Sequence, residues 1–130
     1  MVILSKTFTI LFMIFMHILD DYKIQAGVLA SLKQRCYWKK EAPQPLYRYD
    51  YIAALIMHGF SWSFMIMLPI AIFNQFNVGW SFMVVFLINA FIHSTIDDLK
   101  ANRGILNLCQ DQFLHIVQII GTALIFFCMI

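Results

Sequence analysis

Four histidines and six aspartates hold most of the chemical capacity of this 130-residue chain. The histidines are His17, His58, His93 and His115; the aspartates are Asp20, Asp21, Asp50, Asp97, Asp98 and Asp111. Three histidines have an aspartate four residues away, in the pairs His17/Asp21, His93/Asp97 and Asp111/His115. Four residues make about one helical turn, so both members of each pair project from one face. His58 follows Asp50 by eight residues, two turns along a similar stripe. Neutral imidazole and carboxylate are ligands for Zn²⁺, Mn²⁺ or Fe²⁺, and helical bundles build one- and two-metal sites from such inward-facing residues. A pair of ions about 3.5–4 Å apart would activate water and hold the oxyanion of a phosphoryl or acyl substrate. Lys33 and Lys100 would then neutralise substrate charge.

The elements that must position these groups are apolar. The chain is 62% hydrophobic and only 12% charged, against roughly a quarter charged in soluble proteins. So short a chain has too much surface to hide that many apolar side chains from water. An all-α membrane protein follows, forming a single integral membrane domain over 1–130. Four apolar segments, at about 2–19, 51–73, 78–96 and 113–130, are each near the roughly 20 residues that a spanning helix needs. The first resembles a signal-peptide core behind Lys6, but no clean cleavage site follows and two aspartates stand where cleavage would fall. It is read as a helix, completing a four-transmembrane-helix bundle. An ionisable group at the centre of a spanning helix costs about 2.5–3.5 kcal/mol on insertion scales, so each one needs a reason. Cys36, Cys109 and Cys128 make no paired framework and no CxxC motif. A formal charge of +2 is too slight to imply nucleic acid.

Charge placement orients the segments. The loop 22–49 carries Lys23, Lys33, Arg35, Lys39, Lys40 and Arg48, and the loop 98–111 adds Lys100 and Arg103. The intervening turn, "NQFNVG", is uncharged. The positive-inside rule places both basic loops in the cytoplasm and both termini outside. Within the first loop, Val28, Leu29, Leu32 and Cys36 recur at helical spacing before "CYWKK". That pattern predicts an interfacial amphipathic helix between helices 1 and 2, with Tyr37 and Trp38 at headgroup level; a solvated basic connector fits equally. Alternating helices bring the C-terminal ends of the first and third together with the N-terminal ends of the second and fourth. All four His/Asp sets therefore fall at the cytoplasmic side, at similar depth.

Plainer readings account for the same residues. A membrane His/Asp pair can be hydrogen-bonding glue between helices, and chains of such groups make proton or cation paths. Lys33, Lys39 and Lys40 suit lipid headgroups, and Lys100 can pair with Asp97. Phe60, Trp62, Phe64, Met65 and Met67 suit lipid contact or bundle packing rather than a cofactor box.

In order along the chain, "HILDDYKIQ" with the later Lys33, "MHGF", "HSTIDDLK" and "DQFLH" resemble the motifs of a family of small bacterial and phage multi-pass membrane proteins classed as a domain of unknown function. The likeness spans nearly the whole chain. On its pattern the first motif maps to His17, Asp21, Tyr22 and Gln25, the third to His93, Asp97 and Lys100, and the fourth to Asp111, Gln112 and His115. Asp21 rather than Asp20 is the matched acid, with Asp20 a solvated helix-end residue; Asp50 and Asp98 also correspond less well. The resemblance implies no assigned activity and places the chain in a bacterial inner membrane, or in a host membrane if phage-encoded. The family is distantly similar to membrane-bound metal-dependent hydrolases, an analogy that does not itself warrant a function.

The expectation is metal-dependent hydrolysis at the cytoplasmic face, on a phosphate-containing or lipid-linked substrate. His17, Asp21, His58, His93, Asp97, Asp111 and His115 would hold one or two ions, zinc before manganese or iron. Asp21, Asp97 and Lys100 would take catalytic parts, with Gln25 and Gln112 orienting water or substrate. The alternatives are a proton- or divalent-cation-conducting transporter and a structural or holin-like phage protein. Membrane lipids are the expected surroundings, and self-association is left open.

Overall fold

A computed structural model describes residues 2–129, and these are helical apart from short connections, with no strand among them. Four long helices, α1 (Val2–Leu19), α4 (Asp50–Phe73), α5 (Trp80–Ala101) and α6 (Leu108–Met129), pack side by side. A π turn, Asp20–Ile24, extends α1; then come two short helices, α2 (Val28–Leu32) and α3 (Arg35–Glu41), and a 3₁₀ turn at Pro45–Tyr47. Helix α4 is central, touching α1, α5 and α6 as well as the two short helices.

The outside of this assembly is oily. Phe8, Phe15, Met57, Phe60, Phe64, Leu87 and Phe91 are all more than half exposed, whereas His17, His58, Asn89, His93, Asp97, Asp111 and His115 are buried. Apolar side chains out and polar ones in is the arrangement lipid selects, and water-soluble chains rarely present such continuous apolar surface. Three stretches, Pro45–Phe73, Trp80–Ala101 and Leu108–Cys128, are long and apolar enough to cross a membrane.

Two boundaries move from the sequence expectation. Helix α5 runs on to Ala101 instead of stopping near 96, and α6 begins at Leu108 instead of 113. The expected loop 98–111 therefore shrinks to 102–107, and Lys100 and Asp111 become helical. Both extensions are held by polar side chains that hydropathy discounts. Asn107 Oδ1 accepts from Gln110 N at 2.9 Å while Gln110 Oε1 accepts from Asn107 N at 3.0 Å, a reciprocal cap at the start of α6. The end of α5 is tied down by Asn102, which accepts from Arg35 N at 2.7 Å and donates to the Lys33 carbonyl at 2.9 Å.

Those same bonds interrupt the expected amphipathic helix between helices 1 and 2. In its place stand the two short helices α2 and α3, broken at Lys33 and Gln34, with Gln34 extended. Asn102 occupies backbone groups that one continuous helix would have used itself, and Trp38 Nε1 donates to the Leu32 carbonyl at 2.8 Å.

One close approach sets the spacing of α4 and α5 beside His58. A Cβ on Gly59 would collide with Ser94 Oγ and stand 2.5 Å from the Ala90 carbonyl. Ser94 Oγ in turn lies 2.8 Å from the carbonyls of Leu55 and Ala90, bridging the two helices.

Candidate metal centre

The polar end of the helices is built from the C-terminal turns of α1 and α5 and the N-terminal turns of α4 and α6. The π turn widens the last turn of α1, and both acids of "DD" turn inward there; such insertions occur often at functional sites. Asp20 is fully buried and accepts from Ser61 Oγ at 2.8 Å. This corrects the expectation that Asp20 is a solvated helix-end acid. A buried carboxylate needs a donor, and α4 supplies one.

His93 is the hub. Its Nε2 lies 3.0 Å from His58 Nε2, and its Nδ1 lies 3.2 Å from His115 Nδ1. Trp62 stacks on the His93 ring at 4.1 Å between centroids, with planes 15° apart. Around this row sit the carboxylates. Asp97 Oδ2 is 3.0 Å from His58 Nε2, and Asp97 Oδ1 is 3.4 Å from His115 Nε2 and 3.8 Å from His93 Nε2. Asp21 Oδ1 is 3.6 Å from His58 Nε2 and 4.0 Å from His93 Nε2. Asp111 Oδ1 is 3.4 Å from His115 Nε2.

Two groups have ligand atoms clustered tightly enough for one ion: Asp21, His58 and His93, and His93, Asp97 and His115. A tetrahedral ion with bonds of 2.0–2.1 Å holds its ligands about 3.3 Å apart, and the first group's separations of 3.0, 3.6 and 4.0 Å lie around that edge. The hydrogen-bond inventory points the same way. Asp21 Oδ1, Asp111 Oδ1, His58 Nδ1 and His115 Nε2 are buried without a hydrogen-bond partner. An unsatisfied buried polar atom costs about 1–3 kcal/mol; a cation held by the first group would relieve Asp21 Oδ1, and one held by the second through His115 Nε2 would relieve that nitrogen. The residues present therefore fit a divalent transition metal.

Outer contacts hold Asp97 and Asp111 through Oδ2 and leave Oδ1 of each turned toward the histidines. Lys33 Nζ donates to Asp97 Oδ2. Lys100 Nζ at 2.7 Å and Gln112 Nε2 at 3.0 Å both donate to Asp111 Oδ2. Both lysines thus bond acids of the cluster, and Lys100 takes Asp111 rather than the expected Asp97.

His17 is buried in the cluster but is in neither ligand group. Indole is a donor only, so the 2.7 Å bond from Trp62 Nε1 makes His17 Nδ1 an acceptor. The ring proton is then on Nε2, which donates to Gln112 Oε1 at 3.0 Å. With both nitrogens committed, His17 orients Gln112 and through it Asp111. His17, expected as a ligand, thus lies outside both groups, while atoms of His58, His93, His115, Asp21 and Asp97 come close enough together to hold an ion. Asp111 touches His115 from outside the two groups. Gln25 closes the π turn through its backbone N–H, 2.8 Å from the Asp20 carbonyl. Asp50 opens α4 and Asp98 binds Arg103 Nε at 3.0 Å; both lie outside the two groups.

Sequence reasoning passed over three contributors. Trp62 read as bundle packing, and nothing in its spacing reveals that its N–H meets His17. Ser61 and Asn102 are single polar residues whose partners lie far away in sequence. One helical turn beyond His93, Asn89 is buried and accepts through Oδ1 from Gln118 Nε2 at 2.8 Å and Thr122 Oγ1 at 3.0 Å.

Comparison with protein-family models, with curated proteins and with solved structures finds no match to this chain.

Proposed function

We propose that this chain crosses the membrane four times, with both basic loops cytoplasmic, and binds a divalent transition metal at its polar end for hydrolysis of a phosphate-containing substrate. The observation that carries the reading is the pair of ligand groups sharing His93, ringed by buried ligand atoms that lack any hydrogen-bond partner. His93 belongs to both groups, and a neutral imidazole has one free lone pair, so one ion per chain is the simplest loading. Each group offers two imidazoles and one carboxylate, a donor set that suits zinc, with manganese or iron as the alternatives.

A bound ion of this kind supplies a Lewis acid for a phosphoryl oxygen and makes water a better nucleophile near neutral pH. The chain's own groups do the rest. With Asp21 Oδ1 facing the ion, the other oxygen of that carboxylate, Oδ2, 3.4 Å from His17 Nδ1, would take a proton from attacking water. Lys33 and Lys100 reach the cluster from its loop side and would neutralise charge that develops on substrate oxygens. Gln112, held by His17, keeps Asp111 in one orientation.

Cation or proton conduction is the second reading, and the Asn89, Gln118 and Thr122 network favours it by extending polarity one turn deeper. Beyond that network Ile66, Met67, Ile70, Ile119, Ala123 and Phe126 close the interior without a polar side chain among them. A polar cluster confined to one end, with an apolar interior beyond it, suits hydrolysis better than transport.

Elemental analysis of protein purified in detergent without chelator tests the metal. About one transition-metal ion per chain is expected, lost in His93→Ala and Asp21→Asn and kept in Asp20→Asn. Wild type that contains none and takes none up would sink the reading. A phosphoester panel assayed with loaded protein then tests hydrolysis, and ion flux in proteoliposomes tests conduction.

A further inference from the structure

A second polar feature lies outside the His/Asp cluster. Between α3, the Pro45–Tyr47 turn and the start of α4 there is a cavity of about 550 Å³, lined by Arg35, Lys39 and Arg48 and by no aspartate or glutamate. Lys33, Lys40, Lys100 and Arg103 are each engaged by an acid. Among the described residues Arg35, Lys39 and Arg48 have no carboxylate within ion-pair distance. Arg35 lies over the Tyr51 ring at 4.6 Å and Arg48 over the Tyr49 ring at 5.4 Å. Three like charges gathered on one cavity repel one another unless an anion joins them.

The walls are preformed. Trp38 stacks on Tyr47 at 6.3 Å with planes 17° apart, and its N–H is anchored on the Leu32 carbonyl. Asn102 pins Arg35 through its backbone N–H, so α3 is fastened to the end of α5. The surroundings fit a membrane surface. Leu46 on the turn is 78% exposed, and Ile52 and Ile56 on the adjoining turns of α4 also face outward. Aromatic rings and basic side chains beside exposed aliphatics are what the headgroup layer accommodates.

We propose that this cavity is a phosphate-binding site, taking the phosphate of a phospholipid headgroup or of a soluble phosphate compound at the membrane surface. Two guanidiniums offer paired donors that match phosphate oxygens, and Lys39 adds a third charge. The proposal is independent of the metal reading, because no residue lining the cavity is a metal ligand.

The test uses full-length protein in a phosphate-free maltoside detergent, with two probes: inorganic phosphate, and phosphatidylglycerol against uncharged diacylglycerol in the same micelles. Saturable calorimetric binding of one probe or both is expected, with none for diacylglycerol. Phosphate alone assigns a soluble ligand; phosphatidylglycerol alone assigns a lipid headgroup. Lys39→Gln combined with Arg48→Gln should weaken binding by about tenfold or more, Arg48→Lys, which keeps the charge but loses the paired donors, should weaken it less, and Lys40→Gln should change nothing. Absence of binding by wild type to both probes overturns the proposal, as does a Lys39→Gln/Arg48→Gln protein that binds as wild type does. Metal content is measured on the same samples; it should stay at the wild-type level in the double variant, which separates failure of this site from failure of the metal centre.

Discussion

The same four helices are filled in opposite ways at their two ends. Toward the α4–α5 turn the interior is Met13, Ile66, Met67, Ile70, Ile119, Ala123 and Phe126, in mutual contact and all buried. Toward the short helices it is imidazole, carboxylate and amide, every one with a directional partner or a bare ligand atom. Trp62 is the border: its ring stacks on His93, its N–H bonds His17, and it belongs to the apolar cluster. The apolar end is held by shape, because lipid is as oily as the core and only close packing favours helix against helix there. At the polar end, the alternative to each contact is an unsatisfied charge or dipole in a dry interior. The two ends should therefore answer mutation differently.

The largest effect should come from Asp97→Ala, which strands Lys33 and removes a partner from three histidines. Truncating one member of a buried pair costs about 3 kcal/mol or more. Unfolding in mixed detergent micelles measures it, and adding Lys33→Met should recover part of the loss; a double variant no more stable than the single one would remove that pair from the account. Next come His93→Ala and Ile70→Ala, one in each end. Both leave cavities worth about 2–4 kcal/mol, yet only the first should empty the protein of metal. Metal loss in Ile70→Ala would break the division between the ends. Smaller again is Trp62→Phe, which keeps a ring against His93 but frees His17 Nδ1. It should cost about 1–2 kcal/mol and weaken metal binding about tenfold, read by competition with a chromogenic chelator. The smallest belongs to neither end: Phe91→Leu, at a residue 74% exposed, should shift stability by no more than about 0.5 kcal/mol.

Much of the architecture was legible because its signals are local. Apolar runs near twenty residues mark α4, α5 and α6, and a one-turn spacing puts His93 and Asp97 on one face whatever the tertiary structure. Helix ends were less legible, since hydropathy stops at the first polar residue whereas Lys100 and Asp111 remain helical by pairing with each other across the turn. In the site, the five residues of the two ligand groups were all among the candidates, and their meeting at one end followed from alternating helix direction. The division of labour among them was not available. Nothing local distinguishes His17, whose nitrogens are both occupied, from His93, whose neighbours are other imidazoles. Nor does "DD" say that Asp20 would find Ser61.

What the sequence determined by itself is a set of one-dimensional facts: the spacing that puts imidazole and carboxylate on shared faces, the lengths that suit a bilayer, and the uneven distribution of basic residues. Tertiary structure alone decided which nitrogen meets which oxygen, which acids keep a bare atom, and that Arg35, Lys39 and Arg48 share one cavity. The reason is physical. Helical periodicity acts between neighbours along the chain, whereas a ligand shell or an anion pocket depends on ångström-scale distances between groups on different elements, which only the packing of those elements sets.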